Sequence, residues 1–385
     1  MRIGLIAPPW LPVPPLGYGG TEAVIDALAT TLAAAGHSVV LAAAADSTCP
    51  VELLDGFAPA ERAAMGSTSS ELPHVIRAYA GLDDVDIIHD HTLAGPLYRH
   101  RPPGIPVVST IHSDMTPALC RVYEAFSRDV SLVAISQHQA NSAPDVKIRR
   151  VIHHGIDPAT VPPGAGAGGY ACFLGRMAPC KGIAEAIGVA RRAGIQLKIA
   201  AKMSDPMEVD YFRSVVAPLL GPDEEFLGEL DADGKFALLG NAVALLNPVQ
   251  WDEPFGMVMI EALAAGTPVL ATPRGSAPEI IEHGVTGFLA ASTDELASCL
   301  QRASGLDRHD CRSAVETRFS AEAMTRKYVE LFEDVLEPWV SGHGSGQRSR
   351  RSPAAPHSPA PCGLEDPGCP GPHRRRGAAG PRPVA

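Results

Sequence analysis

Apolar residues run in short unbroken blocks through most of the chain. Each block ends at Gly, Pro, Asp or His and gives way to a longer segment with the three-to-four-residue apolar spacing of a helix. In the first half the blocks are "RIGLIA" (2–7), "SVVLAAA" (38–44), "VDIIH" (85–89), "PVVSTI" (106–111), "SLVAI" (131–135) and "RVI" (150–152), with helical stretches near 21–35, 71–80, 117–128 and 136–142. Strands buried on both faces need such blocks, and their alternation with helices predicts parallel βαβ units. Gly36 falls just past the first helical stretch, where a terminating glycine belongs.

The pattern stops at 157–169, "DPATVPPGAGAGG", which has no periodicity and reads as a linker. It then restarts with "YACFLG" (170–175), a helix from Gly182, "LKIAA" (197–201), a helix near 207–220, "EEFLG" (224–228), a helix at 231–239, "AVALLNP" (242–248), a helix at 255–265 and "PVLAT" (268–272). The fold class is therefore α/β, with two doubly wound domains at 1–156 and 170–319. An amphipathic stretch at 320–340 forms a C-terminal helix expected to pack back on the first domain. From 341 to 385 the chain is rich in Pro, Gly, Ser and Arg with almost no aliphatic residues, so disorder is expected there.

Composition narrows the function. The formal charge is −11, and the tail alone carries seven Arg against one Glu and one Asp, leaving the body at −16. A phosphate backbone selects for a basic surface, so nucleic acid is not an expected partner. The eight Cys show no C-x-x-C and no zinc spacing, which suits a reducing compartment. The N-terminal apolar run breaks into prolines before reaching the length of a signal sequence, and no run approaches the ~18 residues of a spanning helix. Cytoplasmic residence without a transmembrane segment is the expectation, and the sequence leaves the oligomeric state open.

Three segments carry candidate chemistry. The first, "PPLGYGGTEAVI" (14–25), joins a strand to a helix through Gly19 and Gly20. Glu22 stands where a dinucleotide fingerprint needs its third glycine, which disfavours a Rossmann dehydrogenase. What survives is either a solvent turn or a backbone free to approach an anion at a helix N-terminus. The second, "FLGRMAPCKG" (173–182), offers Arg176 and Lys181 on a strand-to-helix loop, a pair that suits a diphosphate. The third, "NPVQWDEPFGMVMIEALAAGTPVLAT" (247–272), places the amides of Gly256, Met257 and Val258 beyond a strand's carboxyl end. Glu253 and Glu261 flank that helix about 12 Å apart along its axis. That is too far for two carboxylates acting on one bond; Glu261, in an apolar surround, needs partners.

Together "GRxxxxKG", the E-x7-E of Glu253 and Glu261, and "GSAPEIIEHGVTGFL" (275–289) resemble the retaining nucleotide-sugar glycosyltransferases of family 4, which have the GT-B fold: two Rossmann-like domains facing a cleft. In the first domain "PPLGYGGTE", "IIHDHT" and "TIHSD" match in place and order. The resemblance implies transfer of a hexose from a nucleoside diphosphate sugar to an acceptor hydroxyl. Arg176, Lys181 and the amides at 257 and 258 would hold the diphosphate, Glu261 the ribose and Glu253 the transferred sugar. Gly19 and Gly20 would close over the phosphates, and His112 matches the active-site His. With Arg176 and Lys181 doing the work of a divalent ion, no D-x-D motif is needed, and no metal or other cofactor is expected. Trp10, Tyr18, Glu22, His89 and His91 are acceptor-side candidates, for a small-molecule, glycan or glycolipid acceptor. An epimerase or hydrolase on the same fold, or an inactive binding homologue, is the alternative.

Overall fold

A computed structural model describes residues 1–342, with side chains through 337. Seven parallel strands form the first sheet: β1 (Arg2–Ile6), β2 (Ser38–Ala42), β3 (Glu52–Leu53), β4 (Ile87–Asp90), β5 (Val107–Thr110), β6 (Ser131–Ala134) and β7 (Ile148–Val151). Their order is β3-β2-β1-β4-β5-β6-β7. Six more form the second: β8 (Tyr170–Arg176), β9 (Gln196–Lys202), β10 (Glu224–Gly228), β11 (Ala244–Asn247), β12 (Val269–Ala271) and β13 (Gly287–Leu289), ordered β10-β9-β8-β11-β12-β13. Both sheets run outward through three strands and then restart on the other side of the first. Each therefore has a switch point, at β1/β4 and at β8/β11, where diverging connections leave a crevice.

The apolar blocks are strands because helices cover both faces. β1 reads Ile3, Leu5 and Ile6 at 0% exposure, with Ile3 and Leu5 packed with Ile25, Leu28 and Leu32 of the helix Gly20–Ala34 and Ile6 with Val75 and Tyr79 on the other face. β11, Ala244–Asn247, is buried throughout. The C-terminal helix Ala321–Gly342 returns to the first domain, burying Met324, Tyr328, Leu331 and Phe332 against that same core. Segment 157–169 is pinned rather than free: Gly164, Gly166 and Gly168 donate their amides to Ala265, Gly240 and Asn241 of the second domain at 2.9 to 3.0 Å.

Three elements escape the apolar pattern. β3 is two exposed residues, and β13 is three, with a glycine first. The helix Arg308–Arg318 buries only Cys311 and Val315. It is held instead by Arg308 and Arg312, whose guanidiniums donate to backbone carbonyls of Gly164, Gly240, Ala264 and Val161. Among the described residues no helix is long and apolar enough to cross a membrane. The expected disordered tail lies outside the described residues from 343 onward.

Candidate active site

The second domain assembles its site from the loops after β8 and β11. β8 ends at Arg176, and the turn into the helix Ile183–Ala193 passes through Gly182 at φ 76°. A Cβ there would overlap the carbonyl oxygen of Pro248, so only glycine lets this loop seat against the end of β11. Gln250 N–H donates to Cys180 O at 2.8 Å and completes the seam. Lys181 is thereby delivered to the switch point, 9% exposed, where it pairs with Glu253 and stands 5.3 Å from the Trp251 ring. Glu253 is clamped from behind. Gly275, at φ 56°, presses on its backbone, and Ser276 N–H donates to Glu253 O at 3.0 Å.

From this clamp the chain enters the helix Met257–Ala264. Gly256 is its N-cap and supplies no side-chain acceptor, so the amides of Met257 and Val258 face the crevice as open donors at the positive end of the dipole. Glu261, lower on the helix, pairs with Lys235 Nζ at 2.7 Å. Arg176 Nε lies 3.6 Å from Glu208 Oε1, and its register partner on β9 is Lys202. Burial lowers the Lys202 pKa, helped by the positive charges of Arg62 and Arg176. The cations are poised but occupied: Lys181 on Glu253, Lys235 on Glu261, Arg176 on Glu208. Each cation is therefore held in place by a carboxylate before any ligand arrives.

The first domain contributes the loop from Ala7 to Gly19. Gly20 opens its helix and faces Met257, whose Cγ lies 3.6 Å from where a Cβ would stand. Tyr18, an acceptor-side candidate, lies against charged side chains of the second domain. Its ring lies 5.4 Å from Lys202 Nζ, its N–H donates to Glu229 Oε1 at 3.3 Å, and its carbonyl accepts from Arg62 at 3.5 Å. Desolvation raises its hydroxyl pKa against the opposing charges of Lys181 and Arg176, although the residue as a whole is 44% exposed. Trp10 is a correction of a different kind: at 8% exposure its ring is core and offers no surface to an acceptor. Glu22 is buried beside the Gly20 turn, and burial pushes its carboxyl up to about 7.

Behind this loop four imidazoles stack in a row. Ring centroids are 4.1 Å apart for His89 and His91, 5.1 Å for His91 and His112, and 5.2 Å for His112 and His154, the last pair within 20° of parallel. His89 Nε2 bonds Thr110 Oγ1 at 2.8 Å, and Thr110 bonds Tyr328 of the C-terminal helix at 2.8 Å. His91 Nδ1 meets His112 Nε2 at 2.8 Å. Burial keeps all four neutral, taking His89 down to about 3, His112 to about 4, and His91 and His154 well below the ordinary value. His89 at 0% exposure and His91 at 5% are therefore corrected as acceptor contacts: they sit behind His112, which is half-buried at the front.

Two family models divide the chain between them: "Glycosyltransferase Family 4" matches residues 18–160 and "Glycosyl transferases group 1" matches 166–311. The chain belongs to the family 4-like glycosyltransferases of the GT-B fold. The phosphatidyl-myo-inositol mannosyltransferase of Mycobacterium tuberculosis is 26% identical over 380 residues, 87% of this glycosyltransferase and 97% of that protein. Its counterpart in Mycolicibacterium smegmatis is 24% identical, covering 92% and 97%. Among solved structures, a glycosyltransferase involved in avilamycin A biosynthesis superposes with a TM-score of 0.70 at 26% identity, covering 88% and 98% of the two chains. Sucrose-phosphate synthase from Thermosynechococcus elongatus reaches 0.73 at 20% identity, covering 88% and 99%.

Several residues of this glycosyltransferase's cleft escape sequence reasoning. Lys202 ends β9 and Lys235 sits inside a helix; each is an ordinary surface lysine until the fold sets it beside Arg176 or Glu261. Arg62 opens a single 3-10 turn, Arg62–Ala64, that buries none of its residues and so leaves no apolar pattern. Glu279, within "SAPEII", crosses between the domains: its carboxylate accepts from the Gln137 and His138 amides at 2.8 and 2.7 Å and pairs with His153 Nε2 at 2.8 Å. Burial works to raise the Glu279 pKa, but these partners hold it below the usual carboxylate value.

Proposed function

We propose that this glycosyltransferase moves a hexose from a nucleoside diphosphate sugar to an acceptor hydroxyl with retention of anomeric configuration and without a metal. The observation that carries the reading is the gathering of cations at adjoining strand ends, Lys181 at the β8/β11 switch point and Arg176 beside Lys202 at the ends of β8 and β9, together with a helix after β11 whose N-cap glycine leaves its first amides without a side-chain cap. Cations and amides preorganised around a departing diphosphate stabilise the charge that develops on its oxygens, work otherwise given to a divalent ion. The C1–O bond to the β-phosphate breaks and the diphosphate leaves with the electron pair. The acceptor oxygen bonds C1 on the same face, and its proton passes to the departing phosphate oxygen. Glu253, engaged by Lys181, orients hydroxyls of the transferred sugar, and Glu261 with Lys235 receives the ribose.

The acceptor is a small molecule, glycan or glycolipid bound against the first domain, and the site of action is the cytoplasm. Relatives named for mannosyl transfer to phosphatidyl-myo-inositol make mannose the first sugar to test. Calorimetric titration with UDP, GDP and ADP in EDTA should find one that binds, and NMR of the product should show the anomeric configuration of the donor. No binding by any of the three, or conversion of the sugar nucleotide to an epimer without acceptor, sinks the reading.

A further inference from the structure

The histidine stack contains a bond whose direction can be deduced. His91 Nδ1 and His112 Nε2 are 2.8 Å apart, so one carries the proton and the other accepts it. What decides between them is the far nitrogen of His91. Its Nε2 is buried with no hydrogen-bond partner among the described residues. The ring is enclosed by His89 on one side and His112 on the other, and the hydroxyl of Thr110 is already taken up with His89 and Tyr328. If His112 donated, His91 would have to carry its proton on Nε2, an N–H shut away without an acceptor. Orphaned buried N–H groups are rarer than under-satisfied acceptors. A proton on Nδ1 leaves a bare lone pair in that place, and the ring stays neutral because burial suppresses its charging.

We propose that His91 is a positioning residue that fixes the tautomer of His112: His91 Nδ1–H donates to His112 Nε2, so neutral His112 carries its own proton on Nδ1. This rests on the cleft being the transfer site. His112 then meets the sugar or the acceptor as an N–H donor, and in that tautomer it is not the base that takes the acceptor's proton. The role parallels other buried residues that select which imidazole nitrogen faces a reaction.

Nitrogen-15 correlation spectra of the full chain test this directly, with His112 assigned by its loss in His112→Gln. The expected wild-type signal is Nδ1–H, and His91→Phe should return His112 to Nε2–H. His91→Asn, whose side-chain amide can donate from a similar place, should keep Nδ1–H. With the donor identified by titration, His91→Phe should lower kcat on the order of 10-fold while donor KM stays within about 2-fold, as expected when orientation alone is lost; His91→Asn should recover most of it. An Nε2–H signal for His112 in the wild type overturns the proposal, and needs no variant to fold. So does a His91→Phe spectrum identical to wild type. These signals are read without substrate, so a failure of the transferase reading leaves them separately visible.

Discussion

The two sheets share one strand order yet furnish their carboxyl ends in opposite ways. At the β8/β11 end stand lysines and an arginine, paired in advance with Glu253, Glu261 and Glu208. At the β1/β4 end stand imidazoles that burial keeps neutral, and in the helix after β1 a carboxyl that burial raises to about 7. The same topology thus carries paired charges at one crevice and neutral imidazoles at the other. The chemistry belongs to the loops, while the strand order supplies only the place.

The comparison is most easily broken at Lys181. Lys181→Ala removes a preorganised cation and strands the buried Glu253, so kcat/KM should fall by roughly 100-fold or more in a steady-state assay. Unchanged kinetics would mean the charged end does not handle the leaving group. Next in size is acid sensitivity at the neutral end. His89 and His112 have depressed folded values, so their contribution to stability is complete above about 6.5 and is lost as pH falls toward 4 and 3. Each such imidazole costs about 1.4 kcal/mol per pH unit through that window. Thermal melts from pH 7.5 to 4.5 should drop steeply, and His89→Phe should flatten the slope. A slope unchanged by that substitution would place the acid sensitivity elsewhere.

Gly275→Ala sharpens the clamp on Glu253. A Cβ at φ 56° would overlap the Glu253 backbone, so the variant should lose about 1–3 kcal/mol in denaturant unfolding and bind nucleotide sugar less well than bare nucleotide. Parallel loss of both ligands would show that the clamp serves the diphosphate instead. A comparable handle is Glu22, whose carboxyl is raised to about 7 by burial. A raised folded value favours folding fully below about 4.5, and that advantage disappears as pH climbs through 7. Glu22→Gln should therefore gain melting temperature relative to wild type between pH 5 and pH 8. A constant difference across that range would show that the carboxyl is not buried in solution.

Much of this was legible without coordinates. Apolar blocks of four to seven residues can only be strands covered on both faces, and their alternation with helices fixed parallel sheets. The places of Arg176 at a strand end, Lys181 and Glu253 in loops and Glu261 inside the following helix were legible because local pattern fixes them, while their roles were not. Short or polar elements such as β13 and the helix Arg308–Arg318 were not, since backbone pairing and guanidinium bonds hold them rather than an apolar stripe.

What only the tertiary structure decided is every pairing across long stretches of chain: Lys235 with Glu261, Tyr18 with Lys202 and Arg62, Glu279 with Gln137, His138 and His153. The same holds for burial. Trp10 and His89 read as available side chains in a sequence, because a residue's type does not say which other segment will cover it. Local periodicity follows from neighbours along the chain. Charge state, exposure and partnership follow from neighbours in space, and those exist only once distant segments have packed together.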